Sequence, residues 1–271
     1  MPISSRSNPT IKQMRSLRER KVRDQEGKAY IEGIRLVVEA AQLGAPIQTL
    51  IVAPDLLKSD VARQVVEEQR SKGTPILEVT PDVFGALSQK EGPQGIGAVV
   101  RQHWLTLDEM PPAGTIWVAL DEPQDPGNVG TILRTADATR CAGVILLGHA
   151  VDPYDPSALR ASMGAIFSMP IAKASFAELV AWKHQHQVML VGTSDHSTVG
   201  YRQAAYRFPL ILLMGSEREG LSDGRMQLCD LVARIPMAGR SDSLNLAVAT
   251  GVMLYELHAR LHPGEFGLAN G

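Results

Sequence analysis

The second half of the chain repeats one device: an apolar run stops at a Gly-rich loop carrying a few polar residues. The first run, Thr115 to Leu120, reads as a buried strand. The loop from Asp121 to Gly127 holds two prolines and a glycine, and Asn128 is placed to cap a following helix. On that reading Arg134 lies about one and a half turns into the helix. The device recurs at Leu212-Leu-Met-Gly-Ser-Glu-Arg-Glu-Gly-Leu-Ser222 and at Ile235-Pro-Met-Ala-Gly-Arg-Ser-Asp-Ser-Leu-Asn-Leu-Ala-Val-Ala249, where the last loop opens a long helix. Strands feeding loops and helices in this order constrain the chain to an α/β fold with its polar residues at strand ends.

Taken together and in this order, the three segments resemble the signature motifs of the SpoU/TrmH family of RNA ribose 2'-O-methyltransferases, in the SPOUT superfamily. The resemblance covers essentially the whole chain. It implies an α/β chain whose C-terminal, mostly parallel sheet carries a trefoil knot, preceded by a small α/β RNA-binding domain. Ser7-Asn8-Pro9, Tyr30-Ile31-Glu32-Gly33 and Pro93-Gln94-Gly95-Ile96 match the pattern of the small substrate-binding domain common in the family. The implied activity is transfer of a methyl group from S-adenosylmethionine to a ribose 2'-hydroxyl in structured RNA, rRNA before tRNA. A homodimer acting in the cytoplasm is part of the same implication. The alternative is a non-catalytic RNA-binding or ribosome-assembly protein that keeps the fold.

Bulk properties agree with a soluble globular protein. The chain has 271 residues, 44% hydrophobic and 21% charged, enough for one large domain or two modest ones. No apolar run approaches the roughly 20 residues that span a bilayer. Met1-Pro-Ile-Ser-Ser-Arg lacks the apolar stretch of a secretory signal. Cys141 and Cys229 stand far apart in apolar segments and read as buried free thiols of a reducing compartment. The seven histidines show no metal-ligand spacing beside a carboxylate, so no metal is expected.

The net charge of −2 hides an uneven distribution. Between Arg6 and Lys28 eight basic side chains face three acidic ones. The segment is either a solvated helix face or an arm that contacts phosphate. Asn8-Pro-Thr-Ile starts it with a capping residue and proline, and Ile11, Met14, Leu17 and Val22 follow at helical spacing.

Alternating strands and helices from Tyr30 to Val100 predict a small α/β sandwich, and the family resemblance implies that this part, residues 1–106, binds RNA. Residues 107–114, with Pro111-Pro112, are the expected linker, and 115–271 the catalytic domain. Within the latter, strands are expected near 116–120, 143–147, 188–192, 210–214 and 231–235.

No Gly-x-Gly-x-x-Gly follows a strand, so the dinucleotide fingerprint is absent. A sulfonium donor carries no phosphate and needs close backbone approach instead. Carried over by motif position, Gly215, Gly220, Ile235, Met237 and Leu244 would line the donor pocket, with Thr193 as a further member. Arg134 is the leading catalytic candidate. Asn128, Thr131, Arg134 and Thr135 recur at helical spacing. In the family this arginine activates the ribose hydroxyl. A guanidinium hardly ever deprotonates, so electrostatic stabilisation suits it better than general-base work. Glu217 would orient Arg134 or Asn128, or form a structural ion pair. Ser243 reads as an N-cap or a substrate-positioning group, and Asn245, with no evident capping duty, as the better functional residue. Asn8, Lys12, Arg15, Arg18 and Arg160 are the candidate RNA contacts.

Overall fold

The computed structural model describes residues 1–89, 91–110 and 115–265 and divides the chain into two compact units. The first comprises residues 1–103 together with 152–168; the second comprises 104–151 and 169–271.

In the first unit, α1 (Pro9–Ser16) begins at an Asn8 cap whose side chain accepts from the Thr10 amide, with Pro9 in the first turn. The single basic helix expected here is two. The chain breaks at Leu17–Glu19 before α2 (Arg20–Glu26). The reason is Arg23: its Nη1 donates to the carbonyls of Leu17 and Arg18 at 3.0 and 2.6 Å, satisfying the end of α1. There follow β1 (Lys28–Glu32), α3 (Ile34–Gln42), β2 (Ile47–Val52), α4 (Asp60–Ser71), β3 (Ile76–Glu78), α5 (Pro81–Leu87) and β4 (Ile96–Arg101). The sheet order is β1-β4-β2-β3, antiparallel on both sides of β4 and parallel between β2 and β3. Ile11, Met14, Leu17, Ile51, Val83 and Phe84 form its core, so the apolar stripe of α1 is buried as its spacing predicts.

The second unit has six strands: β5 (Ile116–Asp121), β6 (Gly143–Leu147), β7 (Ile171–Ala174), β8 (Met189–Thr193), β9 (Leu210–Met214) and β10 (Leu231–Ala233). Its helices are α6 (Pro126–Ala138), α8 (Phe176–Gln185), α9 (Asp223–Gln227) and α10 (Leu246–Leu261). Between β6 and β7 runs α7 (Pro156–Ser162), which belongs to the first unit. The sheet order is β10-β8-β9-β5-β6-β7, and every pairing is parallel. The strands β5, β6 and β9 are buried apolar runs, as a sheet covered on both faces requires. Trp117 on β5 is fully buried and meets Trp182 of α8 edge to face, ring centroids 5.2 Å apart. The strand β7 escapes the sequence reading because only Ile171 and Ala172 are buried in so short an edge strand.

Of the expected linker, residues 111–114 lie outside the described residues. Leu107–Glu109 form a turn of 3₁₀ helix closed by a Thr106–Glu109 capping box, and Leu107 and Met110 are buried in the core of the second unit. Cys141 is buried, but Cys229 is only partly so, a correction to the expectation of two buried thiols. Burial pushes both thiols up to about 11. No helix among the described residues is long and apolar enough to cross a membrane.

Candidate active site

Because all six strands of the second sheet run parallel, their carboxyl ends share one edge. The three motif loops leave that edge from β5, β9 and β10, which lie within four neighbouring strands. This is where ligands bind in open α/β sheets.

The first loop ends in α6, whose cap is Asp125 and not Asn128. The Asp125 carboxylate accepts from the Asn128 amide at 2.8 Å, and Pro126 occupies the first turn. An earlier start moves Arg134 into the third turn of the helix. It also frees the Asn128 side chain, whose Nδ2 donates to Glu217 Oε1 at 3.1 Å. Sequence reasoning passed over Asp125. Its signal was the Asp-Pro-Gly triplet, with acid then proline at the cap and first helical positions.

The second loop folds back on itself. Ser216 and Gly220 exchange backbone hydrogen bonds at 3.2 and 3.1 Å. A Cβ at Gly215 would stand 2.1 Å from the Gly220 carbonyl carbon, so no side chain can occupy position 215. The closed loop presents Glu217, whose carboxylate accepts from the amides of Gln124 and Asp125 at 2.9 and 3.1 Å as well as from Asn128. Partial burial pushes this carboxyl up. Hydrogen bonds from the Asn128 side chain and from the loop amides outweigh that, and the group lies below the usual glutamate range. Glu217 orients Asn128; it makes no ion pair with Arg134.

The third loop leads into α10, and here the cap assignment reverses. Asn245 is the N-cap, its Oδ1 accepting from the Ala247 and Val248 amides at 2.9 and 3.3 Å. Ser243 sits two residues before it and donates to Asp242 at 3.2 Å. Asn245 also donates through Nδ2 to Asn128 Oδ1 at 3.0 Å. One chain, Glu217–Asn128–Asn245, therefore ties all three motif loops together.

Residues 115–255 match the SpoU rRNA Methylase family and residues 8–98 an MRM3-like substrate binding domain. The chain belongs to the SpoU rRNA methylase family. A 23S rRNA (uridine(2479)-2'-O)-methyltransferase of Streptomyces viridochromogenes is 35% identical, covering 89% of this chain and 85% of its own. An AdoMet-bound rRNA methyltransferase from Sinorhizobium meliloti superposes with a TM-score of 0.87 at 38% identity, over 97% of this chain and 98% of that one. The SpoU methyltransferase AviRb from S. viridochromogenes, in complex with AdoMet, gives 0.86 at 33% identity over 95% and 99%.

The remaining candidates of this SpoU-family chain divide by place. Arg134 is exposed and makes no hydrogen bond or ion pair among the described residues. Thr131 and Thr135 turn their hydroxyls back onto helix carbonyls. Thr193 ends β8 and donates to the Met214 sulfur at 3.5 Å. Ile235 and Met237 are half-buried, Leu244 is exposed, and Gly220 takes a φ of 64°. The absence of a side chain at Gly215 lets the Gly220–Leu221 backbone close the second loop at the end of β9, where loop backbone groups would have to serve a donor that carries no phosphate.

The RNA candidates lie in the first unit. Asn8 is spent as a helix cap. The Nη2 of Arg18 donates to the carbonyls of Ala86, Leu87 and Ser88, closing the end of α5. Arg23 is 2% exposed, which removes it from any solvated arm. Arg6 pairs with Asp82, Arg20 with Asp24 and Lys28 with Glu26. Lys12, Arg15 and Lys21 remain exposed. Arg160 is exposed at the end of α7 and reaches Ser157 at 3.5 Å.

Proposed function

We propose that this protein methylates a ribose 2'-hydroxyl of structured rRNA, using S-adenosylmethionine. The observation that carries the reading is the Glu217–Asn128–Asn245 chain, which holds the three motif loops at one sheet edge. Relatives that match nearly the whole chain are rRNA 2'-O-methyltransferases, and two of the matching structures hold AdoMet.

The donor, when bound, supplies a methyl group on a positively charged sulfur. Gly215, Gly220, Ile235, Met237, Leu244 and Thr193 would hold it, chiefly through backbone groups. Arg134, unpartnered and exposed, would face the attacking ribose and stabilise negative charge developing on its 2'-oxygen. Once the 2'-oxygen takes the methyl group from the sulfur, the hydroxyl proton would leave to water or to an RNA phosphate oxygen. Asn128 and Asn245, held by Glu217, would position the sugar. Much of the rate gain comes from such positioning. The knotted path belongs to the same reading. So do a cytoplasmic location and a homodimer, and the exposed apolar side chains Leu244, Val248 and Tyr255 support the subunit contact.

Tritium transfer from labelled donor to unmodified rRNA tests the proposal. Incorporation that disappears in Arg134→Ala, with donor binding retained, supports it; no incorporation into any rRNA or tRNA pool overturns it.

A further inference from the structure

The Glu217–Asn128–Asn245 chain holds the motif loops at their tips; a different set of residues holds the first two at their roots. The strands β5 and β9 pair up to Leu120 and Met214, so these loops leave the sheet side by side, at Asp121 and Gly215. The second loop then closes on itself and runs into α9, which is capped by the Ser222 side chain. Arg225 of α9 donates from Nε to Asp121 Oδ2 at 3.0 Å. Its guanidinium also lies over the Phe176 ring, 3.8 Å from the centroid. The root of the first loop is thereby joined to the helix into which the second loop runs.

This is no solvated surface pair. The side chain of Asp121 is 12% exposed and that of Arg225 33%. Asp121 Oδ1 is buried without a hydrogen-bond partner among the described residues, so the carboxylate charge rests on Arg225. Phe176 belongs to the core of the second unit and gives the cation a fixed platform. The rest of the α9 segment is fastened without Arg225. Leu221 is buried in the core, and Asp230 accepts from the Leu190 amide at 2.7 Å and from the buried Lys183 at 2.9 Å. A Cβ at Gly192 of β8 would stand 2.8 Å from Cys229 Sγ, so the segment presses directly on that strand. What Arg225 adds to these anchors is a link to the first loop.

We infer that Asp121 and Arg225 are positioning residues for methyl transfer, their pair setting the register of the first loop against the second. That register brings the Gln124 and Asp125 amides and the Asn128 side chain to the Glu217 carboxylate, at 2.9, 3.1 and 3.1 Å. Such bonds weaken steeply with misalignment, so a slip at the root undoes them at the tip. A displacement of about 1 Å at a reacting centre can cost about a hundredfold in rate. The pair acts through Glu217 and not on the reacting atoms. Its bearing on methyl transfer rests on the proposed reaction; its coupling to Glu217 does not.

The test compares Arg225→Met with Arg225→Lys in the full chain. Methionine keeps a flexible stem on Phe176 but removes charge and donor, whereas lysine restores both. Thermal melts at pH 7 read the coupling without substrate. The melting-temperature loss that Glu217→Gln causes in the wild-type chain should shrink by about half or more in the Arg225→Met background and return in the Arg225→Lys background. In transfer assays on unmodified rRNA, Arg225→Met should lower kcat about tenfold or more and leave KM for RNA within about twofold. Arg225→Lys should regain at least about threefold of that loss. If Arg225→Met does not fold, Asp121→Asn carries the same two comparisons. No melting loss from Glu217→Gln in the wild type, or an equal loss in Arg225→Met, overturns the inference. So does a raised KM at unchanged kcat, or a rate that lysine leaves unrecovered. A wild-type chain that transfers no methyl group refutes the proposed reaction, and the melts still decide whether the pair sets the loops.

Discussion

Asn245 uses both ends of one amide: Oδ1 caps α10 while Nδ2 donates to Asn128 Oδ1 at 3.0 Å. Capping and site assembly are therefore carried by one side chain, and two substitutions separate them. Asn245→Asp keeps an acceptor for the helix amides but loses the donor to Asn128. Its melting temperature should stay near wild type while methyl transfer falls. Asn245→Ala loses both functions and should also cost about 1 kcal/mol of stability. Equal transfer rates in Asn245→Asp and wild type would remove the bridge from the site.

Glu217 predicts a pH dependence with a definite sign. Its folded-state carboxyl lies below the usual glutamate range, because the Asn128 side chain and the Gln124 and Asp125 amides donate to the charged form in excess of the burial penalty. A depressed group contributes its stabilisation in full above the unfolded value of about 4.3 and loses it as pH falls through the folded value. Glu217→Gln should therefore be less stable than wild type by a constant margin from pH 8 to about pH 5, and the margin should close in acid. Parallel thermal melts across that range read it directly. A margin that widens toward acid contradicts the assignment.

The fold was legible where apolar runs were long and their punctuation strong. Thr115 to Leu120 and Leu210 to Met214 announce buried parallel strands by composition alone. The short edge strand at Ile171 carries too few buried positions to do so. Around the site, residue type told correctly that caps were present but not which residue served. Asp125, Asn128, Ser243 and Asn245 are all capping types, and only the helix starts at Pro126 and Leu246 decide among them. The Glu217–Asn128–Asn245 chain joins residues 89 and 117 positions apart, a pairing that no local pattern encodes. Charge misled in the other direction. Arg18 and Arg23 read as part of a phosphate-binding arm, yet both are drawn inward by unsatisfied carbonyls at helix ends.

Gly215 offers a steric test of the donor cradle. Gly215→Ala would drive a methyl into the Gly220 peptide, so the closed turn from Ser216 to Gly220 must open. The sheet beneath it should survive, since Leu210 to Met214 stays paired with β5 and β8. Donor affinity should fall by at least about tenfold while the far-ultraviolet spectrum is kept. Calorimetric titration of S-adenosylmethionine checks it. Wild-type affinity in Gly215→Ala would mean that the second loop does not form the cradle.

The first unit contains the chain's most deeply buried ion pair among the described residues, Arg23 Nε to Asp152 Oδ2 at 2.7 Å, both side chains under 5% exposed. Arg23 also approaches Asp155, the cap of α7, at 3.6 Å, and Asp152 Oδ1 takes the Tyr154 amide at 2.8 Å. This cluster fastens the 152–168 segment, which leaves and re-enters the second unit, into the first. A buried pair that is broken on one side leaves an uncompensated charge, so Arg23→Ala should destabilise by about 3–5 kcal/mol. Removing Asp152 as well relieves the orphaned carboxylate. The double variant should then be less damaged than the two single costs added, with a coupling of about 1–3 kcal/mol. Urea melts of the four proteins complete the cycle. Strict additivity would show that Arg23 stabilises only through the carbonyls of Leu17 and Arg18, and that α7 is held by its apolar side chains alone.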